Sequence, residues 1–199
     1  MNNSEIRNQL RNKRQAISPQ QQTDNAKQAL YFLKQFLEKH IVESCDIAMF
    51  LSQDGELETK PSIDYLWSNQ HRVYLPVLEC NDGLHMAFAN YEPESEMRKN
   101  QFGILEPDIS FEDHLTGREL DIVVMPLVGF DKQGNRLGMG GGYYDRSFNY
   151  KLTSKDEAPI LVGWAHSFQQ VENLHQEAWD VPLDAMITEQ GIIEWKSKR

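Results

Sequence analysis

A three-layer α/β fold, with a largely parallel, Rossmann-like sheet flanked by helices and a helical pair at the N-terminus, is what the sequence predicts. Three observations predict it. Short apolar runs rich in β-branched residues recur in the order strand, helix, strand. The first forty residues instead carry two helical periodicities, the second opening on a start signal. The length of 199 residues, with 40% hydrophobic content, suits one such domain and leaves little room for a second.

The N-terminal helices are expected over residues 4–40. Ile6, Leu10 and Ile17 recur at helical spacing, while Arg7, Arg11 and Arg14, at i, i+4 and i+7, share another face. Ser18-Pro19-Gln20-Gln21 reads as an N-cap, a proline at the first helical position and a capping-box glutamine. Ala26, Leu30, Leu33 and Leu37 follow, and the helix ends near His40. An α/β core is expected over 44–191. Residues 46–51 form a short buried strand, Thr59 caps a helix carrying Ile63, Leu66 and Trp67, and residues 72–77 form the next strand. Residues 84–89 alternate less cleanly and read as an antiparallel piece. They feed a long irregular segment, 91–119, whose length marks it as a lid. Strands at 121–126, 159–164 and 185–188 complete the pattern.

Twenty basic against thirty acidic side chains give a net charge of -10, which repels long polyanions, so no nucleic-acid partner is expected. No run approaches the ~20 apolar residues that span a bilayer, and the polar start has no signal-peptide core. A cytoplasmic protein with no membrane contact is expected. Cys45 and Cys80 stand at no metal-ligand spacing and read as ordinary reduced residues. The charge is uneven: residues 1–40 carry seven basic and three acidic side chains, net +4, which leaves -14 on the rest. Such a basic leader is either a solvated helix face or an anion clamp.

The most informative stretch runs from Phe130 to Arg146, where four of the nine residues from Gly138 onward are glycine. Glycines admit positive φ and close approach of backbone to a ligand, and consecutive N–H groups form a nest for anions. Tyr143-Tyr144 stand where a Walker loop needs Lys-Ser or Lys-Thr, and Tyr143 replaces the third glycine of the dinucleotide fingerprint, so a different phosphate site is implied. Arg136 and Arg146 offer charge-assisted contacts, the tyrosines a stacking face and hydroxyls, and Asp145 oxygens for a hard cation. No nucleophile elbow, His-Glu-x-x-His or Cys–His arrangement is present, and the six histidines are scattered.

This loop resembles the Arg-Leu-Gly-x-Gly-x-Gly-Tyr-Tyr-Asp signature of the 5-formyltetrahydrofolate cyclo-ligase (5,10-methenyltetrahydrofolate synthetase) family. The resemblance extends, in the family's order, to Ile6-Arg7 with Ser18 eleven residues on, Leu51-Ser52, Glu56-Leu57-Glu58-Thr59, residues 103–107, Met125-Pro126 and residues 180–184. It implies ATP- and magnesium-dependent closure of 5-formyltetrahydrofolate to 5,10-methenyltetrahydrofolate, with release of ADP and phosphate through a phosphorylated formyl group. By position it implies ATP contacts from Arg7, Arg136, Leu137, Gly138, Met139, Gly140, Gly141, Gly142, Tyr143 and Tyr144, with Arg136 and Tyr144 in the catalytic step. Gln53, Glu58, Phe102 and the loop from Met139 to Tyr143 would meet the folate, and Asp145 and Asp180 would hold magnesium. Two departures stand out: Asn3 replaces a lysine common in the family, for which Arg11 or Lys13 could compensate, and Met139 replaces an arginine of some members. The partners implied are small molecules only, and the size suits a monomer. The rival readings are an α/β sugar-phosphate isomerase or CoA-transferase-like enzyme, which needs no ATP, and a non-catalytic folate- or nucleotide-binding protein.

Overall fold

The computed structural model describes residues 2–78, 86–101, 103–153 and 158–195. The two N-terminal helices form where the start signals stand. In α1 (Asn3–Gln15) the Asn2 side chain accepts from the Glu5 N–H at 2.9 Å and the Glu5 carboxylate accepts from the Asn2 N–H at 3.0 Å, a complete capping box. In α2 (Pro19–His40) the Ser18 hydroxyl accepts from the Gln21 N–H at 3.2 Å, with Pro19 at the first position. The Gln21 side chain does not turn back to complete a box; it donates forward to Asn25 Oδ1 at 2.7 Å. The buried stripe of α1 is Ile6, Leu10 and Arg14, since Ile17 falls beyond the end of the helix.

Seven strands make the main sheet: β1 (Asp46–Ala48), β2 (Arg72–Leu78), β3 (Met86–Asn90), β6 (Ile122–Pro126), β9 (Ile160–Trp164), β10 (Ala185–Thr188) and β11 (Gly191–Glu194). Their spatial order is β11-β10-β9-β6-β1-β2-β3. The five central strands are parallel, and β3 and β11 pair antiparallel at the edges. Period-two alternation sends Ile122 and Val124 to one face and Val123 and Met125 to the other. The first face is covered by Leu33, Phe36 and Leu37 of α2 with Ile63 and Leu66 of α3 (Lys60–Ser68). The second meets Phe130 of β7 (Gly129–Phe130) and Phe148 of α4 (Tyr143–Phe148). Three layers result, as the alternating pattern predicts.

Three elements depart from the sequence reading. Segment 91–119 is not irregular throughout: β4 (Met97–Lys99) and β5 (Leu105–Pro107) pair in a small antiparallel ribbon, followed by two 3₁₀ turns. The link from β6 to β9 holds a hairpin, β7 with β8 (Arg136–Leu137), and the six-residue α4 in place of a full crossover helix. The edge strand β11 had no sequence signal beyond Ile192-Ile193. No helix among the described residues is long and apolar enough to cross a membrane. Cys45 is buried, and burial pushes its thiol up to about 12, so it is no nucleophile; Cys80 lies outside the described residues.

Candidate active site

From β1 the chain steps outward through α3 to β2, then returns to place β6 on the other side of β1. The strand order therefore reverses at β1, and a crevice opens beyond the carboxyl ends of β1 and β6, where open α/β sheets take their ligands. A pocket of about 700 Å³ occupies that place. Phe50, Leu51 and Gln53 reach it from the end of β1, Pro126 and Leu127 from β6, and Leu75, Pro76 and Leu78 from β2. Asn100, Ile104 and Glu106 of the segment that carries the β4–β5 ribbon, Asn3 and Arg7 of α1, and residues 136–146 add to its wall.

The glycine-rich loop lies between β8 and α4 and needs its glycines at two points: φ is +102° at Gly140 and +65° at Gly142. Arg7 Nε donates to the Gly138 carbonyl at 2.8 Å, which ties α1 to this loop. The Arg136 side chain is only 5% exposed; its Nη2 donates to Asp145 Oδ1 at 2.6 Å, and its Nε is buried without a hydrogen-bond partner among the described residues. A buried guanidinium N–H left unmade costs about 1–3 kcal/mol, so Arg136 points to an acceptor supplied from outside the chain. The Arg136 guanidinium lies over the Tyr144 ring, 5.9 Å from its centroid, and burial pushes the Tyr144 phenol up. Its hydroxyl stays protonated at neutral pH and can donate a hydrogen bond.

Asp145 Oδ1 also accepts from the Val181 N–H at 3.1 Å, so its carboxylate abuts the residue after Asp180, and both aspartates line the pocket. Asp180 Oδ2 accepts from the Glu177 N–H at 2.9 Å. Among the described residues no three His, Cys, Asp or Glu side chains form a metal cage. Two carboxylates beside an anion-seeking arginine fit a magnesium ion that keeps waters and shares phosphate oxygens.

The sequence-predicted residues divide here. Arg7, Gln53, Asp145, Asp180 and the whole run from Arg136 to Tyr144 line the pocket. Glu58 does not: its Oε1 accepts from Ser52 Oγ at 2.6 Å and from the Thr59 and Lys60 N–H groups at 2.8 and 3.0 Å, so it caps α3. Glu56, two residues earlier, does line it, as do Glu106 and Glu177. Glu56 Oε2 accepts from the Gln53 N–H at 3.0 Å, and burial pushes its carboxyl up against the Gln53 N–H and the Arg14 guanidinium. Neither Arg11 nor Lys13 lines the pocket to replace the missing lysine; Arg11 Nε donates to Asp54 Oδ2 at 2.8 Å. Asn3 lines the rim and donates to the His175 carbonyl at 3.3 Å. Phe102 lies outside the described residues. Sequence reading also missed Trp179, which is 64% exposed at the pocket.

Behind the pocket, His166 is fully buried. Asn25 Nδ2 faces its Nδ1 at 3.0 Å, and Asn25 Oδ1 is taken by Gln21, so Nδ1 accepts and Nε2–H donates to the Gly55 carbonyl at 3.3 Å. Burial holds the imidazole below its ordinary range, with Arg14 adding to this and Glu189 and the Gly55 carbonyl opposing it. The native state therefore keeps His166 neutral, whereas the unfolded chain protonates it below about pH 6.5. Stability is lost as pH falls through that value; Glu56, whose ionised form burial disfavours, works in the opposite sense closer to pH 4.5. Thermal unfolding at pH 7.5 and 5.5 is expected to show a smaller pH-dependent drop in His166→Gln than in the wild type. Equal drops would remove His166 as the cause.

The fold and site define an α/β protein whose switch-point crevice is lined on one side by a glycine-rich loop with buried Arg136 and on the other by the apolar Phe50, Leu51, Leu78 and Ile104. The model of the 5-formyltetrahydrofolate cyclo-ligase family matches residues 1–189, and the chain belongs to that family. It is 41% identical over 186 residues to the 5-formyltetrahydrofolate cyclo-ligase of Escherichia coli K12, covering 94% of this chain and 100% of that one. The Haemophilus influenzae cyclo-ligase is 41% identical over 179 residues, covering 90% and 93%. The NMR structure of a 5,10-methenyltetrahydrofolate synthetase from Aquifex aeolicus superposes with a TM-score of 0.80 at 28% identity, covering 100% of this chain and 95% of that one. The Mycoplasma pneumoniae synthetase gives 0.72 at 27% identity, covering 95% and 99%. The chain is thus an enzyme, a ligase of one-carbon folate chemistry.

Proposed function

We propose that the chain closes 5-formyltetrahydrofolate to 5,10-methenyltetrahydrofolate, using ATP with magnesium and releasing ADP and phosphate. One observation carries the ATP reading: buried Arg136, whose Nε has no partner among the described residues, stands in the same pocket as Glu56 and beside two carboxylates. An isomerase of sugar phosphates would need an anion site but not the apolar wall that Phe50, Leu51, Leu78 and Ile104 give the same pocket.

The chemistry explains the need for ATP. The oxygen of an N-formyl group is a poor leaving group. Transfer of the γ-phosphoryl group makes an O–P bond at that oxygen, breaks the bond to ADP, and leaves an imidate phosphate. The second folate nitrogen attacks the formyl carbon and loses its proton, and the C–O bond breaks to release phosphate as the bridge closes. No protein nucleophile is required; the chain must position two substrates and balance charge. In this reading Arg7 and Arg136 meet phosphate oxygens, and Tyr144, kept protonated, donates to a reacting oxygen. Glu56 accepts the pterin N–H groups, with Gln53 beside it. Asp145 and Asp180 would hold magnesium, which supplies charge neutralisation on the phosphates. Phe50, Leu51, Leu78 and Ile104 exclude the water that would otherwise take the phosphoryl group.

Mixing the protein with 5-formyltetrahydrofolate, magnesium and ATP is expected to raise the absorbance of the methenyl product, with no signal when ATP is omitted. Product without ATP would overturn the reading. Arg7→Ala removes one charge-assisted contact worth about 1.5–3 kcal/mol, so the KM for ATP is expected to rise about 10- to 100-fold. An unchanged ATP dependence would confine Arg7 to its bond with the Gly138 carbonyl.

A further inference from the structure

Glu56 projects from a turn, residues 53–56, whose backbone is held by contacts from outside it. Two consecutive residues are left-handed, Asp54 at φ +52° and Gly55 at +72°, and Asp54 has no glycine's freedom. What holds the turn is the C-terminal half of α1. Asp54 Oδ2 accepts from Arg11 Nε and Arg14 Nη2, each at 2.8 Å, and the Asp54 carbonyl accepts from Arg14 Nε at 2.9 Å. Gln15 donates to the other Asp54 oxygen. The turn presses so closely on the helix that a Cβ on Gly55 would lie 2.6 Å from the Arg14 carbonyl. From the far side His166 reaches the Gly55 carbonyl and the Gln22 amide reaches that of Glu56.

Arg14 does more than anchor. It is 2% exposed, its Nη1 donates to the Leu127 carbonyl at 3.4 Å, and the same nitrogen lies 3.5 Å from Glu56 Oε1. The Gln53 N–H holds the other carboxylate oxygen, so both oxygens of Glu56 are aimed by named groups. A buried stripe position on a helix is filled more cheaply by an apolar side chain than by an ion. A guanidinium here, forked onto Asp54 and touching Glu56, supplies what leucine could not: a fixed direction and a fixed charge for the pocket carboxylate.

We infer that Arg14 is a positioning residue for the folate, setting the 53–56 turn through Asp54 and the Glu56 carboxylate by direct contact. The inference rests on the role given to Glu56 under the proposed function. It divides α1 between the substrates: Arg7, about 10 Å along the helix from Arg14, serves the nucleotide loop, while Arg14 serves the folate turn.

The test is a double-mutant cycle read by direct binding of 5-formyltetrahydrofolate without ATP, and by the two KM values. Arg14→Met is expected to weaken folate binding about ten-fold or more while the KM for ATP stays within about two-fold. Arg14→Lys, which keeps the charge but not the fork, is expected to recover part of the loss. In a Glu56→Gln background the Arg14→Met change is expected to add less than about two-fold. An equal loss in both backgrounds, or a matching rise in the KM for ATP, would overturn the inference and leave Arg14 a stabilising residue. Full folate affinity in Glu56→Gln alone would instead refute the Glu56 role, and a wild-type protein that binds no folate would refute the proposed function itself. Should Arg14→Met lose its cooperative unfolding transition, Asp54→Asn loosens the same fork and is judged by the same outcomes.

Discussion

Arg136→Ala is expected to lower kcat by about 100- to 1000-fold, the range seen when one preorganised donor to a transition-state oxyanion is removed. The size follows from burial. Arg136 is 5% exposed, so its charge acts where water does not screen it, and its Nε has no acceptor among the described residues. A donor that is already desolvated and aimed loses nothing to reorganisation when charge develops on the transferring phosphoryl group. The variant should still fold. Asp145 is 20% exposed, so water reaches the carboxylate released from the pair, and the loss of stability stays below the about 3–5 kcal/mol of a fully buried pair. Steady-state kinetics beside a thermal melt separates the two effects. A near-normal kcat in a folded variant would show that Arg136 serves only to hold Asp145 in place.

Glu56→Gln is expected to raise the KM for 5-formyltetrahydrofolate about 10- to 100-fold with a smaller change in kcat, because it removes charge-assisted hydrogen bonds worth about 1.5–3 kcal/mol. The replacement keeps the size of the side chain and one acceptor oxygen, so the turn itself is little disturbed. The wild-type enzyme should also show this KM rising as pH falls, starting above the ordinary glutamate range, since burial pushes the Glu56 carboxyl up and protonation removes its charge and turns one acceptor oxygen into a donor. Glu58→Gln is the control. Its carboxylate caps α3 and does not line the pocket, so that change is expected to cost about 1 kcal/mol of stability and leave the KM unchanged. If Glu58→Gln raised the KM and Glu56→Gln did not, the two roles would have to be exchanged.

These two glutamates mark where sequence stops being sufficient. Both belong to the same short polar stretch, and neither periodicity nor charge separates them. What separates them is backbone: the left-handed pair at Asp54 and Gly55 swings Glu56 into the crevice, and Glu58 then falls on the free N–H groups of α3. Arg14 was hidden for a related reason. In the sequence it completes an arginine stripe, but the helix stops at Gln15, so Ile17 cannot fill the third buried position and Arg14 does. Only then does its pairing with Asp54, forty residues on, become necessary. The glycine loop, by contrast, was legible because glycine is the residue that accepts φ of +102° and +65°, and the strand-helix-strand order placed it at the end of the sheet. The first half of segment 91–119 read as irregular because its strands, β4 and β5, are three residues each and too short to show alternation.

The basic first forty residues likewise resolve into separate tasks. Arg7 reaches the glycine loop, Arg11 and Arg14 converge on Asp54, and Lys39 pairs with Glu194 at the far end of α2. The excess positive charge is therefore neither a plain solvated face nor one clamp. A protein of net charge -10 can still take anionic ligands when single cations are fixed at the pocket.

In the proposed mechanism the formyl oxygen leaves as part of the phosphate. Running the reaction with 5-formyltetrahydrofolate carrying ¹⁸O in the formyl group, and recovering the phosphate for mass spectrometry, tests this directly. The mechanism predicts one ¹⁸O atom in each molecule of inorganic phosphate formed. Unlabelled phosphate, with the heavy oxygen released into water, would contradict it.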